Sequence, residues 1–411
     1  MTEYGLIGEK LGHSFSKEIH EQVAEYTYNL IELNSEEFHE FMCNAGFKGI
    51  NVTIPYKRQV IKYLDRMSHV ASDIGAVNCV KNIDGKLFGH NTDFDGLMAL
   101  IEHAGIDVRG KKALILGTGG TSETAMAVLK NMGAYNIIRV SRTGRDKAVS
   151  YEDAASLHSD AQIIVNTTPC GMYPNVDAQA VNLDSFPLTE GVIDVVYNPI
   201  RTKLVSQALE KGIKAEGGLY MLVAQAVKAS EFFLSMRFND DVTEKIFKGI
   251  LARKTNIVLT GMPASGKSTI GKILAKKMGR ELFDTDALIV EKAGMAITDI
   301  FKKYGEEHFR NLESEVIKEV SLKSGVIIAT GGGAVLKKEN IDALKQNGKI
   351  FFRNRAVEKL VPTGDRPTAS TKEQIMKRYE ERYPIYMKTC DYVVREQDSL
   401  EKAAAEILEA L

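Results

Sequence analysis

The chain has 411 residues, enough for two or three domains at roughly 150 residues each. Its 44% apolar and 26% charged residues are those of an ordinary globular chain, and a formal net charge of −1 with no Lys/Arg stripe argues against nucleic-acid binding. Four scattered cysteines (Cys43, Cys79, Cys170, Cys390) form no CxxC pair or Cys/His cluster, so no disulfide framework or structural zinc is expected.

Taken in chain order, YGLIG at the start reads as a strand rather than a signal peptide. No apolar run approaches the roughly 18 residues of a membrane span, and a cytoplasmic protein is expected. The polar segments GEKLGHSFSKEIH (8–20), GINVTIPYK (49–57), GAVNCV (75–80) and GHNTDFDG (89–96) follow. Together they suit a ligand rich in hydroxyls. Lys57 falls at a strand end after Pro55, and Asp93 in a loop before a helix, where a Lys–Asp pair can hold an ammonium beside a carbonyl oxygen and exchange a proton with it.

The strand ALILG (113–117) runs into GTGGTSET (117–124), a glycine loop opening a helix, which lets the backbone approach a pyrophosphate. Ser122 stands where the third glycine of GxGxxG belongs. The next strand, NIIRVS (136–141), ends in VSRTGRDK (140–147). Arg142, Arg145 and Lys147 there are either a solvated basic turn or partners for a 2′-phosphate; with the glycine loop they favour NADP over NAD.

The runs QIIVNT (162–167) and GVIDVV (191–196) continue the alternation, followed by helical patterns at 219–236 and 240–252. Arg253, Lys254 and Thr255 are expected to lead into the next strand, NIVLTG (256–261), with no flexible linker between. GVIIAT (325–330) is a further run. Strand runs alternating with helical patterns imply parallel sheets covered by helices.

GMPASGKST (261–269) fits GxxxxGK[ST] in full. Its amides cradle phosphates, Lys267 reaches the terminal ones, and Ser268 ligates Mg²⁺. Two nucleotide loops of different kinds imply two nucleotide-binding units in tandem. In FDTDALI (283–289), Asp284 and Asp286 are candidates for the Mg²⁺ shell and a substrate hydroxyl, or Asp286 is a helix cap. Arg310 and Arg382 are candidates for a substrate carboxylate, or solvated helix charges. Gly331, Gly332 and Gly333 allow a ligand to approach the backbone, and Arg366 in GDRPTAS lies where a lid brings a cation to a transferring phosphate.

Residues 4–250 resemble shikimate dehydrogenase. The family pattern HSxSPxxHN appears from His13 to Glu21, NVTxPxK as Asn51 to Lys57, and NTDxxG as Asn91 to Gly96. NTTPCGM (166–172), DVVYNPIRTKL (194–204) and GGLYMLVAQA (217–226) resemble three further signatures. The resemblance implies that Lys57 and Asp93 are the acid/base pair and that Ser14, Ser16, Thr53, Asn78, Tyr197 and Gln225 hold the substrate. It implies NADP contacts from Gly117, Thr118, Gly119, Gly120 and Thr121 and from Ser141, Arg142 and Thr143, with Val195, Gly218 and Met221 lining the nicotinamide. Lys17, Glu21 and Ser141 depart from the family's Pro, Asn and Asn, and Lys17 can alter tolerance of acids such as quinate.

Residues 255–411 resemble shikimate kinase. That resemblance implies ATP contacts from Ala264, Ser265, Gly266, Lys267, Ser268, Thr269 and the lid residue Arg366, and Mg²⁺ at Ser268 and Asp284. Shikimate contacts are implied for Asp286, Arg310, Gly331, Gly332, Gly333 and Arg382, with Lys267, Asp286 and Arg366 catalytic. The lid lacks the leucines usual after Arg-Pro.

The expected architecture is an α/β substrate domain (1–95), a Rossmann NADP domain (96–220), helices returning to the substrate domain (221–253), and a P-loop, nucleoside-monophosphate-kinase-like α/β domain (254–411). The expected chemistry is reduction of 3-dehydroshikimate to shikimate by NADPH, then phosphorylation by MgATP. Small molecules are the expected partners, and monomer and homodimer both remain open. The alternatives are a quinate/shikimate dehydrogenase with a kinase, and a non-catalytic sensor, against which Lys57, Asp93, Lys267 and Asp286 are all present.

Overall fold

The computed structural model describes residues 3–12, 15–144, 147–360, 371–395 and 399–411. They divide into two compact units, Met1–Ile250 and Leu251–Leu411.

The first unit opens with β1 (Tyr4–Gly8), α1 (Ser16–Val23), β2 (Tyr28–Glu32), α2 (Ser35–Asn44) and β3 (Gly49–Val52). β4 (Arg66–Met67), α3 (His69–Ile74), β5 (Cys79–Ile83) and β6 (Lys86–His90) complete this lobe. The sheet order is β2-β1-β3-β5-β6-β4. β1 runs parallel to β2 and β3, but β5 lies antiparallel to β3 and β6 antiparallel to β5. The all-parallel expectation therefore fails in this lobe, and for the β5–β6 pair the cause is local. Asp84 and Gly85 take φ of 50° and 83°, the two positive angles a tight hairpin turn requires.

The second lobe comprises α4 (Thr92–His103), β7 (Lys112–Leu116), α5 (Gly120–Asn131), β8 (Asn136–Val140), α6 (Tyr151–Leu157), β9 (Ile163–Asn166), β10 (Gly191–Asp194), α7 (Lys203–Glu210), β11 (Lys214–Glu216) and α8 (Leu219–Leu234). Its five strands are all parallel, in the order β11-β10-β9-β7-β8. Along β7, Ala113 and Ile115 enter one core while Leu114 and Leu116 enter the other, as a strand covered on both faces demands. The chain departs from β7 to β8 on one side and β9 on the other. That reversal opens the crevice at the strand ends where α/β sheets take ligands.

α8 belongs to both lobes. Met221 packs in the core behind β7, whereas Ala229 and Phe233 pack with Tyr4, Tyr28 and Cys79 under the first sheet. A Cβ on Gly96 of α4 would lie 2.8 Å from Met221 O and 2.9 Å from Gln225 Cβ, so glycine lets α4 and α8 cross at this distance. α9 (Val242–Lys254) follows, and Arg253 and Lys254, read as a lead-in to a strand, form its last turn.

The second unit contains β12 (Asn256–Thr260), α10 (Lys267–Met278), β13 (Leu282–Asp284), α11 (Thr285–Ala293), α12 (Ile297–Ser321), β14 (Ile327–Ala329), α13 (Lys338–Asn347), β15 (Gly348–Arg353), α14 (Lys372–Thr389), β16 (Tyr392–Val394) and α15 (Leu400–Glu409). Its sheet is parallel throughout, ordered β13-β14-β12-β15-β16. β12 again divides its side chains, with Val258 in one core and Ile257 and Leu259 in the other. Its apolar run therefore ends where the phosphate loop begins.

Candidate active sites

In the first unit the loop after β3 presents Lys57, whose Nζ lies 2.6 Å from Asp93 Oδ2. Asp93 sits in the first turn of α4 rather than in a preceding loop. The N-terminus of that helix is held from the side: Asn78 Oδ1 accepts from Thr92 N at 2.7 Å. Asn78 is fixed in turn, its backbone oxygen accepting from Asn51 Nδ2 at 3.1 Å, while Asn51 Oδ1 accepts from the buried Tyr28 hydroxyl at 2.7 Å. Burial of these polar groups is tolerated because each is paired.

The Lys57–Asp93 pair lines a cavity of about 400 Å³ between the lobes. Ser16, Thr53 and Asn78 line it from the first lobe, Tyr197 and Gln225 from the second. Tyr197 packs on Phe15 with ring centroids 5.4 Å apart, and burial pushes its hydroxyl pKa up, so it enters the cavity as a neutral donor. Gln225 is buried on α8 and spends its amide on Leu222 O at 2.8 Å, leaving its oxygen for a ligand hydroxyl. Ser14 lies outside the described residues.

Thr121, Val195, Gly218 and Met221 line the other side of the same cavity. Gly117 adopts φ 112°, and a Cβ there would stand 2.8 Å from Thr167 Oγ1. Gly119 caps α5 and Gly120 begins it, and a Cβ at either would meet nothing. Their value is open space over the helix N-terminus, where bare amides suit a pyrophosphate. Thr118 is exposed in the same loop. Gly117 N donates to Val140 O at 2.8 Å, which sets the turn of Ser141, Arg142 and Thr143 beside the glycine loop. Ser141 Oγ accepts from Gly144 N at 3.1 Å and shapes that turn, leaving Arg142 and Thr143 exposed. Amides with a cation alongside fit a dinucleotide bearing a 2′-phosphate. Arg145 lies outside the described residues.

In the second unit the loop from β12 to α10 takes positive φ at Gly261 (144°), Ala264 (60°) and Gly266 (93°), which curls the backbone into an anion-sized nest. Lys267 Nζ donates to Gly261 O and Met262 O, both at 2.9 Å, holding the loop closed on itself. Ser265 Oγ is buried with no partner among the described residues, the kind of atom a phosphate oxygen satisfies. Thr269 continues α10. Ser268 Oγ donates to Asp284 Oδ2 at 2.5 Å. No group of three or more metal-ligating side chains occurs among the described residues. One hydroxyl and one carboxylate nevertheless fit Mg²⁺, which keeps several waters and takes phosphate oxygens.

Asp284, not Asp286, caps α11, accepting from Asp286 N at 3.1 Å and Ala287 N at 3.4 Å. The cap reading of Asp286 is therefore corrected. Asp286 lines a second cavity of about 400 Å³ with Arg310, Glu313, Gly331, Gly332, Gly333 and Arg382. A Cβ on Gly331 would fall 2.5 Å from Asp286 Oδ1 and 2.9 Å from Glu313 Oε1, and one on Gly333 would overlap the Arg310 guanidinium. A Cβ on Gly332 would press within 2.7 Å of Pro263 in the phosphate loop. All three glycines are required by neighbouring groups. Arg382 is buried and donates to Gly332 O at 3.1 Å. Arg310 binds Glu313 at 2.7 Å and Glu306 at 3.1 Å. Arg366 lies outside the described residues.

A shikimate dehydrogenase (NADP(+)) from Clostridium perfringens (strain SM101 / Type A) is 38% identical over 272 residues, covering 62% of this chain and 100% of that relative. The chain belongs to the shikimate dehydrogenase family. The family's substrate binding domain matches residues 6–80, and the shikimate kinase family matches residues 263–411. Shikimate dehydrogenase 1 from Peptoclostridium difficile is 36% identical with a TM-score of 0.56, over 61% of this chain and 98% of that one. A chorismate mutase/shikimate 5-dehydrogenase fusion from Clostridium acetobutylicum is 33% identical with a TM-score of 0.57, over 61% of this chain and 97% of that one. The joined dehydrogenase and kinase families make this a bifunctional enzyme of the shikimate pathway.

Three participants escaped the sequence. In the dehydrogenase cleft, Asn51 stands within a quoted motif but reads as part of a strand, and Lys10 lines the cavity from the β1–α1 loop. In the kinase pocket, Glu313 is 1% exposed and its Oε1 has no partner among the described residues. Burial raises its carboxyl pKa against the pull of Arg310. The available signal was its spacing, one helical turn after Arg310.

Proposed function

We propose that the first unit reduces 3-dehydroshikimate to shikimate at the Lys57–Asp93 cleft and that the second unit phosphorylates the new 3-hydroxyl at the Asp286 pocket. The observation that carries this is the 2.6 Å Lys57–Asp93 pair in a cavity shared by hydroxyl-bearing side chains and by the flank of the glycine loop. NADPH, when bound, supplies the hydride to the carbonyl carbon. Lys57 Nζ donates to the carbonyl oxygen and delivers its proton, and Asp93 fixes the ammonium and shares the charge left behind. Asn78, Thr53 and Gln225 bind the ring hydroxyls, while Ser14, Ser16 and Tyr197 bind the carboxylate. Arg142 with Ser141 and Thr143 binds the 2′-phosphate.

MgATP, when bound, supplies the phosphoryl group and the cation that balances its charge. Asp286 accepts the hydrogen of the 3-hydroxyl and aims its oxygen, and Arg310 and Arg382 grip the carboxylate. Lys267 stabilises charge on the terminal phosphate, and Arg366 adds a second cation there. The protein works in the cytoplasm on small molecules. Among the described residues no helix is long and apolar enough to cross a membrane.

The test is mass spectrometry of purified protein incubated with 3-dehydroshikimate, NADPH, ATP and Mg²⁺. Shikimate 3-phosphate is expected. Phosphate-free shikimate would leave the reductase standing and remove the kinase; no shikimate at all would remove the reductase, and quinate would be tried next.

A further inference from the structure

We propose that the Lys10 ammonium is the counter-charge for the substrate's carboxylate in the dehydrogenase cleft and makes the first unit selective for anionic over neutral hydroaromatic substrates. The proposal rests on the reductase function above.

Lys10 lines the cavity that holds Lys57 and Asp93. Its placement is imposed by its neighbours. Glu9 N donates to Ile54 O at 3.4 Å, and Leu11 N donates to Glu32 Oε1 at 2.7 Å, so the loop is tied to the lobe on both sides of Lys10. Leu11 is buried, whereas the preceding Glu9 and Lys10 are exposed, and of these two Lys10 lines the cavity. The same loop continues through Phe15, whose ring packs on Tyr197, and Ser16 follows it at the start of α1. Lys10 thus lies on the loop that leads to Ser16 and lines the same cavity.

Charge balance then decides its role. Among the described residues, the ionisable side chains lining the cavity are Lys10, Lys57, Asp93 and Tyr197. Lys57 and Asp93 neutralise each other at 2.6 Å, and burial keeps Tyr197 uncharged. Ser16, Thr53, Asn51 and Asn78, which also line the cavity, are neutral. A carboxylate entering such a cleft loses hydration and meets hydroxyls and amides but no committed cation. Lys10 forms no ion pair with any described residue, and among the described lining residues it is the cation left to answer the carboxylate. An exposed ammonium at the cleft wall acts at moderate strength and is screened by salt, so its signature is selectivity and salt dependence rather than all-or-none activity.

The experiment compares oxidation of shikimate and of shikimate methyl ester with NADP⁺ by wild type, Lys10→Met and Lys10→Arg, with circular dichroism as the fold control. In Lys10→Met the ratio of kcat/KM for acid over ester should fall by roughly three- to tenfold, and Lys10→Arg should keep most of it. The fall of kcat/KM for shikimate between low and high salt should be steep in wild type and shallow in Lys10→Met. An unchanged ratio, or the same salt slope in both proteins, would overturn the assignment while leaving the reductase intact. A wild type that oxidises neither compound would overturn both together.

Discussion

Asn78 accepts the amide hydrogen of Thr92 on its side-chain oxygen at 2.7 Å, one residue before the carboxylate that binds Lys57. A cavity-lining amide is thereby also the clamp on the helix end that carries Asp93. Asn78→Ala removes the clamp and orphans a buried N–H, at a cost of about 1–3 kcal/mol. Urea denaturation should register that loss in the first unit. Reductase kcat should fall along with substrate affinity, because Asp93 is no longer held; a rise in KM alone would reduce Asn78 to a ligand. Phosphorylation of shikimate by the same variant should be unaffected.

Gly331→Ala tests the other pocket. The added Cβ would overlap Asp286 Oδ1 and Glu313 Oε1, groups of limited freedom in a packed cavity. Kinase kcat/KM for shikimate should drop at least tenfold with reduction of 3-dehydroshikimate preserved. Wild-type phosphorylation by Gly331→Ala would show that this cavity does not hold the acceptor.

The two nucleotide-dependent steps should separate cleanly by single substitutions. Lys57→Met should lower reductase kcat by roughly 10²–10⁴-fold, the usual worth of a positioned proton donor, while the kinase continues to use added shikimate. Lys267→Met should abolish phosphorylation and allow shikimate to accumulate. It also deprives Gly261 O and Met262 O of their donor, so the second unit should melt at a lower temperature. Calorimetry of the variant, read beside product analysis, distinguishes lost chemistry from lost fold.

Acid stability should be governed by two buried groups of opposite sign. His20 stacks on Tyr28 at 3.9 Å, and burial holds its pKa down to about 3. Between its ordinary 6.5 and that value the unfolded chain binds a proton the fold refuses, so stability is full above 6.5 and declines as pH falls. By pH 5 the loss is about 2 kcal/mol. Asp194 works the other way: burial pushes its carboxyl up to about 6, so its fold-stabilising proton is held at low pH and its contribution fades as pH rises from 3.8 to 6. Denaturation midpoints of the first unit from pH 4 to 7 should therefore rise less steeply in His20→Phe and more steeply in Asp194→Asn. Slopes equal to wild type in both would refute these buried ionisations.

The α/β class and the two nucleotide loops were legible because they are local signals, a short apolar strand followed by glycines and a helix. The β5–β6 hairpin of the first lobe was written in Asp84-Gly85 and passed over among the longer runs. Asp284 and Asp286 show a different limit. Their spacing places both at one strand end, but which one caps α11 depends on where the helix begins, and boundaries are the weakest part of a sequence reading. Arg382 and Glu313 are buried charges on helices whose sequence looks solvated, and only the folded contact with the three glycines gives them an interior. Lys10 had no signal of its own beyond its charge.

The crossing of α4 and α8 at Gly96 bears on how this protein can be recombined. Asp93 and Gln225 ride on two helices fitted together at that glycine, and α8 is rooted in the cores of both lobes. A chimera that borrowed one lobe from a relative would inherit half of that joint and pair it with a foreign partner. Grafts should be cut outside α8, so that Asp93, Gln225 and the surface joining them are inherited as one piece.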